Sequence, residues 1–312
     1  MPNEFTMTSQ QTICFVIPYY KGIDYLEKTL HSLIAQKNPT WYAIVVDDCG
    51  GEDAELLVLS FNDSRINYVR NERNLGIGGN WNKAVSVATS DLVTILHSDD
   101  LLKDNYVEIM TDLMCHHPHA AMGHCAVKII DANDQLKFSL PDFVKKIIQP
   151  RNKRVIVTEG DIGLSSLTRG AWIFCPTICY RRESLPDKWF DEQYQFVLDV
   201  DFSARMLLEG KSIVGTTEIA YLYRRHATNQ TRLLTESDQR FYEEVTHLKR
   251  IHALSIEKGW HKTRRSTNRM IVVRLHMIYE AGVSLANLNY RRAFKLIAFA
   301  ISKNDKFLFR YK

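Results

Sequence analysis

The chain has 312 residues, 45% of them hydrophobic and 24% charged, with a formal net charge of +4 and six cysteines. This length is enough for two domains, or for one large domain with an appendage. No apolar run approaches the roughly 20 residues of a transmembrane helix, and the polar start lacks the features of a secretory signal peptide. These features argue against an integral membrane protein and a disulfide-stapled scaffold, so we expect a cytoplasmic protein with reduced cysteines.

Positive charge is concentrated towards the C-terminus. Residues 290–312 contain seven Lys or Arg residues and one Asp, a net charge of +6, so the rest of the chain carries about −2. The main body is therefore not expected to bind nucleic acid. Within residues 290–301 an apolar helical face lies beside basic side chains, a pattern typical of a helix on an anionic membrane surface. Packing of this helix against the rest of the protein, with its basic side in solvent, is the alternative.

Strand and helix patterns alternate over the first hundred residues. Four apolar runs have the length of buried strands: TICFVIPYY, WYAIVVDD, INYVRNE and DLVTILHSDD. The segments between them have helical patterns, as in IDYLEKTLHSLIAQ, where leucines recur at helical spacing. This alternation predicts an α/β fold with a mostly parallel sheet flanked by helices. In such sheets ligands bind at the carboxyl ends of the strands, where Asp47–Asp48 and Asp99–Asp100 lie.

The later segments are less regular. A helix is predicted over residues 104–115, strands over AAMGHCAVKII and WIFCPTICYR, and a helix over residues 197–209. The strand-like segment KSIVGTTEIAYLYRRH ends the α/β part of the chain, and the pattern beyond it is helical. We therefore divide the chain into a disordered N-terminus (1–11), a main α/β domain (12–231) and a helical C-terminal region with a basic amphipathic tail (232–312).

The two aspartate pairs are costly in their predicted positions. Adjacent carboxylates repel each other, and a position at the end of a buried strand removes part of their hydration. A divalent cation relieves this repulsion and offers open coordination positions to phosphate oxygens. The pairs therefore indicate a site for a hard cation with phosphate or polyhydroxyl groups; a solvated acidic loop without a ligand is the alternative.

Six segments resemble, in this order, those of the family 2 nucleotide-sugar glycosyltransferases of the bacterial surface-polysaccharide type: VIPYYKGIDYLEKTLHSLIAQ, VVDDCGGED, RNERNLGIGGNWNKAV, LHSDDLL, FDEQYQFVLDVDFSARMLLEGK and YRRHATNQT. Each motif is short, but six of them in the family's order are specific. The resemblance covers residues 12–231. It implies that this domain has the GT-A fold, a Rossmann-like, mostly parallel sheet flanked by helices, and that the helical region is a C-terminal extension.

The resemblance also implies which residues bind a nucleotide-sugar donor. Asp48 would accept a hydrogen bond from a pyrimidine ring nitrogen, and Asp99 would face the ribose. Asp100 would bind Mn²⁺ or Mg²⁺ bridging the diphosphate, with His226 as a further ligand. The remaining donor-binding residues are Pro18 and Tyr20 after the first strand, Asn74 and Gly76 closing over the base, and Arg224 with His226 beside the diphosphate. A basic surface turn is the alternative for the last two.

Transfer with inversion also needs a base, and the resemblance gives this role to Asp199. The family has a Glu-Asp pair at a helix start, and here the pair reads Leu198–Asp199. Asp199 would take the proton from an acceptor hydroxyl as it attacks the anomeric carbon. Asp201 would bind or orient the acceptor, unless both aspartates only cap the helix. Trp172 would either stack on a sugar ring or belong to the core.

The implied function is inverting, metal-dependent transfer from a UDP- or dTDP-sugar to a saccharide acceptor, expected to be lipid-linked, in the synthesis of a surface polysaccharide such as O-antigen or capsule. The expected location is the cytoplasm or, through residues 290–312, the cytoplasmic face of the inner membrane; a homodimer remains open. One alternative is a nucleotide-sugar-binding scaffold with little turnover, favoured by the missing glutamate. The other is a nucleotidyltransferase, which needs a glycine- and lysine-rich phosphate loop that IPYYKGIDY does not supply.

Overall fold

The structure is a computed structural model that describes residues 11–150, 154–186, 188–226 and 230–301. Two predicted segments therefore lie outside the described residues: the disordered N-terminus, apart from Gln11, and the end of the basic tail beyond Ile301.

One mixed sheet organises the α/β part of the chain. Within the described residues its strands are β1 (Ile13–Tyr19), β2 (Trp41–Asp47), β3 (Ile66–Arg70), β4 (Leu92–Ile95), β5 (Leu101–Leu102), β6 (Ala120–Ile130), β7 (Val155–Thr158), β8 (Ile178–Arg181) and β9 (Ser212–Arg224). Their order is β3-β2-β1-β4-β8-β6-β9-β5, and β7 pairs with β9. The first four strands of this order pair in parallel, as does β6 with β9, whereas β8 runs antiparallel to both its neighbours. The prediction of a mostly parallel sheet is confirmed.

Helices flank this sheet and continue beyond it. They are α1 (Ile23–Ile34), α2 (Ala54–Ser60), α3 (Gly76–Val87), α4 (Tyr106–His116), α5 (Leu140–Ile148), α6 (Gly160–Gly170), α7 (Leu198–Leu208), α8 (Gln230–Glu236), α9 (Gln239–Glu257), α10 (His261–Arg269), α11 (Ile271–Ala286) and α12 (Tyr290–Ile301). The alternation predicted for the first hundred residues is confirmed, since α1, α2 and α3 connect β1 to β4 in turn. The leucine spacing in α1 predicts one buried face of the helix, and Leu26, Leu30 and Leu33 are all buried against the sheet.

The segment between residues 120 and 180 contains more structure than its sequence pattern predicts. Helices α5 and α6 and strand β7 were not expected there. The strand predicted over WIFCPTICYR is reduced to β8, because a 3₁₀ turn at Cys175–Thr177, with Pro176 inside it, separates the aromatic half from the strand.

The C-terminal helices pack together through a small apolar cluster of their own, which includes Phe241 of α9 and Leu296 of α12. The cations of α12 take part in this packing, because Arg292 and Lys295 both pair with the carboxylate of Asp238. For residues 290–301 the structure therefore supports packing on the protein, while Phe294 and Ile301 remain exposed. None of the helices described is both long and apolar enough to cross a membrane.

Candidate functional site

A cavity of about 1150 Å³ opens at the carboxyl ends of β1, β2 and β4. Strand-end residues from Pro18 to Gly22, Asp48, and His97 to Asp99 line one part of it. The other part is lined by α7 and by the C-terminal helices α8, α9 and α11. The volume exceeds the range of roughly 300–1000 Å³ that one small ligand usually occupies. The cavity therefore has room for two substrates side by side.

The first aspartate pair holds the loops around β2. Asp48 is buried and accepts hydrogen bonds from the Asn71 amide (2.8 Å), the Leu75 N–H (2.8 Å) and the Gly76 N–H (3.0 Å). Since a carboxylate has about four acceptor positions, these three donors leave room for one more from a ligand. Gly76 is at φ +73°, a left-handed conformation that glycine adopts without strain, at the point where α3 begins. Asn74 lines the same part of the cavity and accepts from the Gly76 N–H at 2.9 Å.

The second aspartate pair divides between the cavity and the core. Asp99 lines the cavity, and its Oδ2 lies 2.8 Å from Nε2 of His226. Burial acts to raise the pKa of Asp99, but the hydrogen bond from His226 and the charges of His97 and His226 bring it below the usual value. Asp100 is completely buried and accepts from the Arg224 N–H (2.6 Å) and the Tyr221 hydroxyl (3.0 Å). Burial, reinforced by the charge of Asp99, holds the pKa of Asp100 well above that of an ordinary aspartate.

These surroundings differ from the roles implied for the pair, in which the choice of the metal-binding aspartate was less secure than the pair itself. Asp99, which was expected to face the ribose, presents its carboxylate to the cavity, whereas both oxygens of Asp100 serve internal hydrogen bonds. One ligand atom each of His97, Asp99 and Asp100 lies within 4.8 Å of the others, a donor set of nitrogen and oxygen that fits a divalent cation. Burial lowers the pKa of His97 against the opposing charge of Asp99, which favours the neutral imidazole that a metal binds. Among these groups, Asp99 is the carboxylate with access to a ligand.

Arg224, which was predicted to lie beside the diphosphate, does not line the cavity. Its side chain is completely buried, where Nε donates to the Asp99 carbonyl (2.6 Å) and Nη1 to the Asp131 carbonyl (2.9 Å). It also pairs with Asp134. Arg224 thus fixes the backbone of the second aspartate pair from behind. The neighbouring Arg225 lines the cavity instead, in an ion pair of 2.7 Å with Asp142 of α5.

Asp199 lies in the first turn of α7 and lines the cavity, as a base should. Burial raises its pKa above the usual value, while the nearby ammonium of Lys145 acts in the opposite direction. The pKa of Lys145 itself is lowered to about 8, mainly by burial and against the attraction of Asp142. A carboxylate with a raised pKa, enclosed in a cavity, is a suitable proton acceptor.

Asp201 was expected to bind the acceptor or cap the helix, and the structure shows neither. It is completely buried, with ion pairs to Arg205 (2.9 Å) and Arg250 (3.3 Å), and Nδ1 of His247 lies 3.3 Å from its carboxylate. These bonds, led by the one from His247, lower the pKa of Asp201 although burial acts to raise it. Asp201 therefore fastens α7 to α9 and does not line the cavity. Among the described residues, no side chain of α7 or of its N-cap residue caps the start of this helix.

Glu243 of α9 replaces such a cap. Its carboxylate accepts from the backbone N–H groups of Gln195 (2.9 Å), Phe196 (2.7 Å) and Val197 (3.3 Å), the three residues before α7. Only 5% of Glu243 is exposed. An anion at this point also interacts favourably with the helix dipole. Sequence reasoning missed this residue, because nothing in the local pattern connects it to a loop more than forty positions earlier.

We predict that Glu243→Ala lowers kcat by about 10- to 100-fold with little change in the donor KM, because the loop that sets the position of Asp199 loses its acceptor. Glu243→Gln, which keeps one acceptor oxygen, should recover part of the rate. Steady-state kinetics with a donor and an acceptor would check this, with Glu257→Ala, an exposed glutamate at the end of the same helix, as control. A loss of thermal stability with an unchanged kcat would reduce Glu243 to a structural role.

Trp172 was predicted either to stack on a sugar ring or to belong to the core, and it lies in the core. Only 2% of it is exposed, its indole N–H donates to Ser166 (3.1 Å), and its ring meets that of His124 edge-on. It does not line the cavity, so it cannot stack on a sugar there. Pro18 and Tyr20 do line the cavity, and 47% of Tyr20 is exposed.

Solved structures share this architecture over nearly the whole chain. Staphylococcus aureus TarS, in a crystal structure with UDP-GlcNAc, aligns with a TM-score of 0.58 and 14% identity over 92% of this chain and 91% of that one. The mannosyltransferase PcManGT of Pyrobaculum calidifontis, in complex with GDP-Man and Mn²⁺, aligns with a TM-score of 0.61 and 15% identity, covering 98% of this chain and 89% of that one. At such low identities the likeness concerns the fold, and the predicted GT-A architecture is confirmed.

Sequence relatives point in the same direction over shorter stretches. Bacillus subtilis TuaG, named as a teichuronic acid biosynthesis glycosyltransferase, is 35% identical over 111 residues, which are 35% of this chain and 44% of TuaG. Escherichia coli WfgD, named UDP-Glc:alpha-D-GlcNAc-diphosphoundecaprenol beta-1,3-glucosyltransferase, is 28% identical over 102 residues, 33% of this chain and 40% of WfgD. The chain thus spans less than half the length of these relatives. Residues 14–185, more than half of the chain, match the profile described as "Glycosyl transferase family 2", and the protein belongs to this family of glycosyltransferases.

Proposed function

We propose that the protein transfers a sugar from a nucleoside-diphosphate sugar, with UDP or dTDP as the nucleotide, to a hydroxyl group of a saccharide acceptor. The observation that carries this proposal is the single cavity that brings together Asp48, the pair of Asp99 and His226, and Asp199. The first three suit a nucleotide diphosphate with a cation, and the fourth suits an acceptor hydroxyl. The names of TuaG and WfgD support surface polysaccharide as the product.

The donor's base would lie against Asp48, whose remaining acceptor position can take a pyrimidine ring N–H. The loop that Asp48 already holds, with Asn74 and Gly76, would cover the base. Pro18 and Tyr20 provide the opposite side from the loop after β1. Because a cytosine ring nitrogen at this position has no hydrogen to donate, this arrangement favours uracil or thymine.

The diphosphate would lie beside Asp99. We place Mn²⁺ or Mg²⁺ on the Asp99 carboxylate with His226 and His97 as neighbouring nitrogen ligands. When bound, such a cation neutralises the charge that develops on the departing nucleoside diphosphate. Arg225 and Lys145, which also line the cavity, would add positive charge near the leaving group.

Asp199 would act as the base of an inverting transfer. The acceptor oxygen forms a bond to the anomeric carbon while the bond from that carbon to the donor phosphate breaks, and the hydroxyl proton passes to the Asp199 carboxylate. The missing glutamate before Asp199 does not leave its helix unsupported, since Glu243 binds the preceding amides. This support disfavours the scaffold alternative.

The acceptor is proposed to be a lipid-linked saccharide, as the name of WfgD states for that protein. Action at the cytoplasmic face of the inner membrane would follow from such an acceptor. Three further points stay predictions: membrane contact through residues 290–312, synthesis of O-antigen or capsule, and a homodimer.

Ligand-dependent thermal stabilisation tests the donor site without any acceptor. We expect one pyrimidine nucleotide class, such as UDP or dTDP, to raise the melting temperature in the presence of Mn²⁺ and much less in its absence. A ligand at 100 times its dissociation constant adds about 2.7 kcal/mol of stability, which such a measurement detects. GDP and ADP serve as matched controls. If no nucleotide stabilises the protein with or without the metal, the proposed function is wrong.

A further inference from the structure

The cavity is chemically divided, and part of its surface is not explained by a nucleotide-sugar. Aliphatic side chains of three helices form one patch of its lining: Val144 and Ile148 of α5, Leu233 and Leu234 of α8, and Val272 and Leu275 of α11. We call these six residues the apolar wall. A sugar or a diphosphate gains nothing from such a surface, whereas a hydrocarbon chain gains about 25 cal/mol for each Å² removed from water.

Gly170, at the end of α6, lies between two parts of the apolar wall. A Cβ atom at this position would lie 2.8 Å from Cδ1 of Ile148 on α5 and 3.4 Å from Val272 on α11. Helices α5 and α11 therefore both pack closely on the end of α6. From this point the wall extends along α11 to Leu275, and Tyr279, one turn further, also lines the cavity. Leu275 and Tyr279 are 59% and 48% exposed, so the wall continues from the cavity to the protein surface.

A cation stands where the apolar wall begins. Arg169, the neighbour of Gly170, is exposed and lines the cavity, and its Nε donates to the Ser165 carbonyl at 3.3 Å. In the part of the chain that the structure describes, no carboxylate lies within ion-pair distance of it. The other cavity arginines differ, since Arg225 pairs with Asp142 and Arg240 with Glu244. Arg169 is therefore available to an anion from a ligand.

Acidic side chains do not oppose such a ligand along α11. The helix contains one carboxylate, Glu280, which pairs internally with Arg292 and faces His276. Its exposed side chains beside the cavity are aliphatic or aromatic. An anionic amphiphile can thus lie along this helix without charge repulsion.

We propose that the apolar wall binds the hydrocarbon chain of a lipid-linked acceptor, with Arg169 receiving the phosphate that joins the chain to the saccharide. The inference deepens the proposed function and rests on it in one respect, the placement of the acceptor hydroxyl at Asp199. The order of groups in such a lipid, hydroxyl, then phosphate, then hydrocarbon, corresponds to three features of one cavity: Asp199, Arg169 and the apolar wall.

Calorimetric titration of the full chain with butyl, octyl and dodecyl phosphate, each below its micellar concentration, tests this proposal. We expect the affinity to rise with chain length, by at most about fourfold per methylene, the value for complete burial. Arg169→Gln should weaken all three phosphates by a similar factor and leave neutral octyl glucoside unaffected. Affinity that does not depend on chain length would overturn the proposal.

Two exposed positions on α11 provide a matched pair of variants. Leu275 lines the cavity, whereas Ile278, 49% exposed on the same helix, does not. Leu275→Ser should weaken dodecyl phosphate by roughly fivefold or more, the cost of losing a half-buried leucine contact, while Ile278→Ser should have no effect. Equal losses in both variants, or a change of oligomeric state in Leu275→Ser measured by sedimentation, would overturn the proposal in favour of non-specific binding or of a contact between copies of the chain.

UDP binding measured on the same samples separates this inference from the proposed function. If UDP binds with Mn²⁺ but the alkyl phosphates show no chain-length dependence, the apolar wall is not a lipid site and the donor site stands. If the alkyl phosphates bind as expected and no nucleotide does, the wall binds lipids and the transferase proposal fails.

Discussion

Replacing Asp199 by Asn is expected to lower kcat for sugar transfer by about 10²- to 10⁴-fold, the usual contribution of a positioned general base. Nucleotide binding should be unchanged, because the donor groups at Asp48 and Asp99 follow β2 and β4, whereas Asp199 lies at the start of α7. The fold should not suffer either. Burial raises the pKa of Asp199, so its charge is unfavourable in the folded state and an uncharged side chain of the same size removes this cost.

The pH dependence of the reaction provides a second readout for Asp199. The base acts in its ionised form, so kcat/KM should fall as the pH drops through the raised pKa of Asp199, at a higher pH than for an ordinary aspartate. The stability effect has the opposite sign. A raised folded-state pKa stabilises the protonated protein below the unfolded value of about 3.9, and this contribution is lost as the pH rises through the folded pKa.

Asp201 is the matched control, two residues further along the same helix. Its pKa is lowered by His247 and Arg205 against the effect of burial, so it stabilises the fold above the unfolded pKa and this contribution is lost as the pH falls through the folded value. We expect Asp201→Asn to cost about 1–3 kcal/mol near neutral pH, less than a fully buried pair because two of its partners are partly exposed. The folded fraction should keep its kcat. If Asp201→Asn removes transfer and Asp199→Asn does not, the base has been misassigned.

The contrast between Asp199 and Asp201 shows which properties of the site could not be predicted from the sequence. The strands β1 to β4 could be predicted because alternation of apolar runs and helical patterns is a local property, and their parallel pairing placed both aspartate pairs at one edge. The local pattern does not show which member of such a pair faces the cavity. Adjacent residues at a strand end point to opposite sides, and the pairing of the whole sheet decides which side is which.

Strand parity accounts for Arg224 and Arg225, because Arg224 ends β9 and Arg225 follows it directly. Asp99 and Asp100 lie in a turn after β4, in which the Asp100 N–H donates to the His97 carbonyl, and the bend of this turn sends Asp99 to the cavity and Asp100 to the core. In α7, a separation of two residues corresponds to about 200° around the helix, which turns Asp201 away from the side of Asp199. The apolar wall and Glu243 lay beyond prediction for another reason: they come from helices distant in sequence, brought to the cavity by packing.

The second large effect concerns the neighbouring carboxylates Asp99 and Asp100. Asp99→Ala should abolish the Mn²⁺-dependent part of the stabilisation by nucleotide, where the whole stabilisation is about 2.7 kcal/mol at 100 times the dissociation constant. The physical reason is that Asp99 is the carboxylate with access to the cavity, bonded to His226. This variant should destabilise the unliganded protein less than Asp100→Ala does, because Asp99 faces the cavity and its partner His226 can bind water instead. Titration of free Mn²⁺ by electron paramagnetic resonance would report the loss of metal binding directly, without any turnover.

Asp100→Ala should have the opposite profile. It leaves the Arg224 N–H and the Tyr221 hydroxyl without their acceptor inside the core, at a cost of about 1–3 kcal/mol for each buried donor. Asp100→Asn keeps an acceptor for the Arg224 N–H and should retain the fold, the Mn²⁺ affinity and the nucleotide response. Comparison of Asp100→Asn with Asp100→Ala therefore shows whether Asp100 binds the cation or only stabilises the fold. Loss of Mn²⁺ binding in a well-folded Asp100→Asn protein, with Asp99→Ala unaffected, would return the cation to the buried aspartate that the family resemblance implied.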